Sequence, residues 1–349
     1  MRFYQQQHRF YCGIDLHART MYLCVRDQAG NVLLHQNLPA SADAFLLAVA
    51  PYRDDLVVAC ECMFAWYWVA DLCAAQDIPF VLGHALYLKA IHGGKTKNDK
   101  LDADKLCALL RGGNFPVAYA YPKGLRETRD LLRRRLFLVR QRAHLIAHIQ
   151  NTNSQYNLPP FGKELVYAGN REELDVADRF EDPSVRLSVE TDLELIDKLD
   201  EQIHKLELHL ERHAKVEDPN TLARLRSIPG VGKVLALIFL YEIHEVRRFP
   251  SAGAFLSYAR LVRCPHESAG KKKGSGGKKI GNAHLRWAFG EAVCLWLRTS
   301  ERAKKWRQRQ EKKRGKAKSL AILAAKLARA MYHMLRKKEV FDEVKALGG

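Results

Sequence analysis

The order in which short apolar runs give way to long periodic ones sets the architecture of this 349-residue chain. Residues 11–16 (YCGIDL), 21–26 (MYLCVR) and 32–36 (VLLHQ) read as three strands, the last two joined by the turn-forming stretch Asp27-Gln28-Ala29-Gly30-Asn31. A helical stretch at 41–51, a strand at 55–60 (DLVVAC), a helix at 64–76, a strand at 79–83 and a helix at 99–111 follow. A three-strand meander leading into alternating helices and strands predicts a mixed sheet flanked by helices, and the order matches the ribonuclease-H-like plan.

Beyond residue 121 the period changes. Leu132, Leu136, Val139, Ala143 and Ile146 recur at 4-3-4-3 spacing within 122–150, and Ile196, Leu199, Ile203, Leu206 and Leu210 at 3-4-3-4 within 184–215. Such seams predict a coiled-coil helical hairpin, packed internally or against a second copy of the chain. The polar, proline-containing stretch 151–183 forms its irregular tip. After Asp218-Pro219-Asn220 come short helices, one near 251–261, a Gly/Lys-rich loop at 269–282, a helix at 283–299 and a basic helical tail at 302–345. The expected domains are 1–120, α/β; 121–217, the hairpin; and 218–349, mostly α-helical.

The net charge of +18 is unevenly spread: 11 basic against 11 acidic residues in 1–120, 22 against 21 in 121–260, and 24 against 7 in 261–349. A neutral front and a basic back suit a catalytic domain joined to a polyanion-binding one. A local excess over 121–150 suggests a second basic surface, with Arg133, Arg134 and Arg135 as candidate nucleic-acid contacts; two surfaces suit a protein holding both RNA and DNA. The eight cysteines lack Cys-x-x-Cys or zinc-type spacing and read as small buried apolar residues in a reducing cytoplasm. The apolar window 56–75 contains Glu61 and Asp71, and a carboxylate at mid-bilayer costs about 2.5–3.5 kcal/mol. It is expected to be a buried strand and helix, with no membrane partner.

Four carboxylates carry candidate chemistry. Asp15 lies mid-strand, Glu61 ends the apolar strand 55–60, and Asp99 and Asp102 share a helix face at i, i+3. Buried carboxylates are costly unless paired or metal-bound, and hard oxygen donors select magnesium or manganese. Two such ions can hold a scissile phosphate. Asp104, about 200° round the helix from Asp102 at ~100° per residue, is expected to face solvent. In the back part, Ser268 precedes Lys271, Lys272, Lys273, Lys278 and Lys279, a setting for a nucleophile beside a phosphate or for an ordinary loop serine; Ser275 is a second candidate. Ser227-Ile228-Pro229-Gly230-Val231-Gly232-Lys233 is either a helix-linking turn or a hairpin whose Gly230, Gly232 and Lys233 approach a phosphate.

Taken together, GIDLHA at Asp15, ACE at Glu61 with Trp66-Tyr67-Trp68 after it, KNDKLDA at Asp99 and Asp102, then IPGVG, ESAGK and KKIGNAHLRW resemble, in order over about 11–300, the insertion sequence 110 family of transposases, in particular its 1111 subgroup. The resemblance implies a RuvC-like N-terminal domain with Asp15, Glu61, Asp99 and Asp102 as magnesium ligands. It also implies that Ser268, in a C-terminal transposase domain, joins those carboxylates in a composite site and forms a phosphoserine link to DNA. Further implied are a noncoding bridge RNA pairing with donor and target DNA, and a homo-oligomer, dimer to tetramer. Ala269 separates Ser268 from Gly270 where many relatives have Ser-Gly, which keeps Ser275 as the alternative. The rival enzymatic reading is a RuvC-like hydrolytic nuclease or Holliday-junction resolvase; the non-enzymatic one is a nucleic-acid-binding structural protein.

Overall fold

Five strands, β1 (Phe10–Leu16), β2 (Thr20–Asp27), β3 (Val32–Pro39), β4 (Leu56–Glu61) and β5 (Phe80–Gly83), form one sheet in the order β3-β2-β1-β4-β5. The meander β1-β2-β3 is antiparallel, whereas β4 and β5 add in parallel on the other side of β1. The computed structural model describes residues 2–91, 98–162, 164–214, 216, 218–262, 264–276 and 280–348, without the side chains of 172, 264–268 and 272–276. It divides into two compact units, Met1–Lys123 and Gly124–Gly349.

In the first unit, the central parallel strand is buried on both faces, Leu56 to Cys60 being at most 1% exposed, as parallel sheets require. Side chains alternate along each strand. Cys12, Ile14, Leu16, Val58 and Cys60 face a core closed by Phe45 of α1 (Ala42–Val49) and Val69 of α2 (Trp66–Ala75). Tyr11, Val57 and Ala59 face the opposite core, whose main cover is Ala103, Leu106 and Cys107 of α4 (Asp99–Arg111). A short helix absent from the expected order, α3 (Ala85–Ile91), follows β5. Five of the described cysteines are buried as expected, but Cys62 and Cys294 are exposed.

The second unit opens with α5 (Arg126–Gln155) and α6 (Pro183–His213), an antiparallel hairpin. Its buried seam includes Leu132, Leu136 and Ile146 facing Ile196, Ile203 and Leu210. Cross-helix contacts keep the register: ion pairs of Arg135 with Glu207 and Arg142 with Asp200, and a hydrogen bond between His148 and Asp192, rising along one helix as they fall along the other. The tip has a small core of its own, Ile149, Leu165, Val176 and Phe180 closing over Ile146 and Val189. At the other end Leu132 and Leu210 join the core of the following helices, so α5 and α6 pack continuously with what comes after 218.

Those helices are α7 (Pro219–Arg226), α8 (Lys233–Ile243), α9 (Ala252–Tyr258), α10 (Ala283–Thr299), α11 (Glu301–Arg314), α12 (Lys316–Lys337) and α13 (Glu343–Leu347). Phe239, Phe255, Phe289 and Trp296 are the largest side chains fully buried in their core. The expected Gly/Lys-rich loop is partly a two-stranded hairpin, β6 (Cys264–Ser268) and β7 (Lys271–Gly276). Ala269 and Gly270 turn it, with φ of 51° and 73°. Two consecutive left-handed residues match the right-handed twist of the strands they join, so a chain rich in lysine and glycine still closes a ladder. No described helix is long and apolar enough to cross a membrane.

Candidate active site

Asp15 and Glu61 stand on neighbouring parallel strands, each one residue beyond the paired Ile14 and Cys60. Because Ile14 and Cys60 face the α2 side, Asp15 and Glu61 follow Gly13 and Ala59 onto the α4 side. Gly13 lets α4 lie close on β1: a Cβ there would sit 2.4 Å from the Cys107 nitrogen and 2.5 Å from the Ala103 carbonyl oxygen. The Cys107 thiol donates to the Tyr11 carbonyl at 3.0 Å, fixing the same contact.

The sequence starts α4 at the right place. Asn98 caps it, its side chain accepting from the Lys100 amide, so Asp99 and Asp102 fall in the first turn. His17, just past β1, brings the two elements together: its Nε2 lies 3.4 Å from Asp15 Oδ2 and 3.6 Å from Asp99 Oδ2. These three residues offer ligand atoms within 4.8 Å of one another. Burial pushes the Asp15 carboxyl up; His17 pulls it back, and the carboxylates of Asp99 and Asp102 push it up again. Asp102 also takes an ion pair from Lys105 at 3.2 Å. A half-buried carboxylate facing two others is a donor set that suits a divalent cation, with oxygens from β1 and α4 and the Glu61 position in step on β4.

His17 was not singled out from sequence. Its signal is its place two residues after Asp15, in the turn that leaves the strand. Asp104 departs from expectation: it accepts from Arg26 Nε at 3.0 Å and from the Cys24 thiol at 3.3 Å, both on β2. A helix lying over β1 turns its flank to β2, so the far side of Asp102 is not the solvent side. His35 joins Cys24 and Asp104 there.

Residues 12–157 match the family model of the IS110-type DEDD transposases, described as Transposase, and residues 222–310 match that of the Transposase IS116/IS110/IS902 family. The chain carries both domains of an IS110-family transposase. It is 24% identical over 339 residues to the transposase for insertion sequence element IS1111A of Coxiella burnetii, covering 94% of this chain and 90% of the relative. Against the transposase for IS1328 of Yersinia enterocolitica it is 24% identical over 344 residues, 95% and 98% of the two chains. The enzyme cleaves and joins DNA strands. The first match holds all four acidic residues and ends with α5, and the second runs from α7 into α11.

The candidate nucleic-acid contacts of the transposase separate into three kinds. Arg133 and Arg135 are held in ion pairs within the second unit: Arg133 Nε with Glu242 Oε1 at 2.6 Å, and Arg135 with Glu207. Only Arg134 of the three is exposed, over the ring of Phe137. Gly230, at φ 83°, is required by packing, since a Cβ would meet the backbone of Leu295 and Trp296 at 2.7 and 2.9 Å. Gly232 has open space around it and starts α8 without a side-chain cap, while Lys233 pairs with Glu211 at 3.5 Å. Lys271 is exposed and pairs in register with Ser268. The side chains of Ser268, Ser275, Lys272 and Lys273, and all of Lys278 and Lys279, lie outside the described residues.

Proposed function

We propose that this transposase moves an insertion sequence by metal-dependent transesterification, with Asp15, Glu61, Asp99 and Asp102 as the ligands of magnesium or manganese and Ser268 as the nucleophile. The convergence of Asp15 and Asp99, one from the sheet and one from α4, carries the reading. The strand order, an antiparallel meander continued by parallel strands, supports a ribonuclease-H-like first domain, and the interlocked seam of α5 and α6 supports a coiled-coil domain over 121–217. When bound, the cation supplies positive charge to the scissile phosphate.

The Ser268 oxygen attacks phosphorus and gives up its proton; the bond to the leaving sugar oxygen breaks, and that oxygen is released as a hydroxyl. The phosphoserine ester keeps the bond energy, so a second DNA hydroxyl can displace Ser268 and rejoin the strand. Exposed Lys271, beside Ser268 in the hairpin, adds positive charge where phosphate arrives. The motif resemblance supports guidance by a bridge RNA paired to donor and target DNA, assembly as a dimer to tetramer, and a cytoplasmic site of action.

The test uses donor DNA, target DNA and the element's RNA with the full chain. Asp15→Asn and Asp102→Asn are expected to abolish cleavage, as is removal of divalent cations by chelation. Ser268→Ala is expected to abolish both recombination and a trappable protein–DNA adduct that maps to residue 268 in the wild type. Cleavage without any adduct would instead identify a hydrolytic nuclease, and an adduct at Ser275 would move the nucleophile.

A further inference from the structure

Helix α11 holds eight basic residues and two acidic ones in 14, the highest density of basic side chains among the described α-helices. Both acidic side chains are used locally: Glu301 pairs with Lys304, and Glu311 with Arg307. The helix packs through Ala303, fully buried, and through Trp306, whose ring lies under Lys326. Six exposed cations remain: Arg302, Lys305, Arg309, Lys312, Lys313 and, at the helix end, Arg314. Among the described residues no carboxylate pairs with any of them.

Their positions are not scattered. At ~100° per residue the first five fall within an arc of about 100°, with Arg314 turned about 100° beyond its edge, and at ~1.5 Å per residue those five run for about 16 Å along the helix. Four of their pairings are i, i+3 or i, i+4, spacings at which like charges destabilise an isolated helix. A row of repelling cations on a folded helix is relieved by an anion that presents charges at regular intervals, which is what a phosphate backbone does. No exposed aromatic side chain interrupts the row, Trp306 being turned into the packing, so the stacking platform of a single-strand binder is missing from this face.

We propose that the Arg302–Lys313 face of α11 is a docking surface for the phosphate backbone of a nucleic-acid duplex, read without regard to base sequence. The surface deepens the transposase reading and rests on the chain's action on nucleic acid, but not on the acidic residues or the serine. The test measures binding of the full chain, without divalent cations, to a DNA duplex and to an RNA duplex of equal length as salt is raised. The variant R302Q/K305Q/R309Q/K312Q is compared with the wild type and with R302K/K305R/R309K/K312R, which keeps the charge; far-UV circular dichroism confirms that each is folded.

The glutamine variant is expected to bind more weakly, with a log–log salt slope shallower by about 3–4 on DNA, at ~0.9 per lost contact. The charge-keeping variant is expected to retain the wild-type slope. A change on one duplex only names which nucleic acid docks there. Wild-type slopes from the glutamine variant on both duplexes overturn the proposal. Asp15→Asn, run alongside, separates the two readings: it is expected to keep the wild-type slope while losing cleavage, so an active Asp15→Asn would sink the acidic site and leave the docking surface standing.

Discussion

Gly230 and Gly232 stand two residues apart in one turn and serve different ends. Gly230 has a left-handed φ and backbone atoms of α10 within 2.7 Å of where a Cβ would go. Gly230→Ala is therefore expected to cost about 1–3 kcal/mol of stability, the usual size for overpacking and strained backbone, seen as a lower midpoint in denaturant. Gly232→Ala meets nothing and keeps an ordinary φ, so its stability is expected to change by less than about 1 kcal/mol. If the uncapped start of α8 touches phosphate, Gly232→Ala weakens DNA binding with stability kept; unchanged binding would assign IPGVG wholly to packing. The motif was legible in the sequence, but its two glycines could not be told apart there, because what separates them is a helix 65 residues away. Asp104 makes the same point, since periodicity gives the side of a helix and says nothing of which strand lies beneath it.

At the scale of elements, the strands and most helices of the first unit could be read from period and from turn residues, since each is stabilised mainly by its own apolar face. The tip at 151–183 could not: Leu165, Val176 and Phe180 follow no period and are gathered only by the ends of α5 and α6. The buried junction of α5, α8 and α10 was equally invisible. Glu242 of α8, 2% exposed, receives Arg129 and Arg133 of α5 and an amide hydrogen bond of 2.7 Å from Asn282, the N-cap of α10. Burial would push the Glu242 carboxyl up, but hydrogen bonding to Arg133 and the charges of Arg129 and Arg133 hold it at about 2, against an ordinary 4.5. Burial, with Arg133 beside it, takes His284 down to about 4 from 6.5.

Both shifts mean that the unfolded chain binds more protons as pH falls, so acid favours unfolding. Stability carried by His284 is lost from about pH 6.5 down to 4, and that carried by Glu242 from about 4.5 down to 2. Thermal midpoints measured across pH 7 to 3 should fall throughout, and His284→Gln should flatten the upper limb; a midpoint that holds level to pH 4 in the wild type contradicts the assignment. Glu242→Gln is expected to cost about 3–5 kcal/mol at neutral pH, because Arg129 and Arg133 would keep their charge in a buried place without its partner.

For the whole molecule, the charge of +18 takes a different meaning once its partners are known. The sequence suggests two basic surfaces, one on α5 and one in the last 89 residues. The arginines of α5 are largely committed within their own unit: Arg129 and Arg133 to Glu242, Arg135 to Glu207, Arg142 to Asp200. Their charge ties α5 to α6 and to α8 and is offset where it stands, whereas the face of α11 has no such offset. Two different losses are therefore expected from removing equal charge. Arg135→Gln with Arg142→Gln should lower the thermal midpoint, since two cross-helix pairs go, yet leave the salt slope of duplex binding within about 0.5 of the wild-type value, because neither side chain is available to a phosphate. Two charges taken from α11, as in Arg309→Gln with Lys312→Gln, should do the reverse, keeping the midpoint and reducing the slope by about 2. If the α5 pair instead reduced the slope by that amount, those arginines would leave their carboxylates to bind nucleic acid, and the hairpin would be a binding arm as well as a structural one.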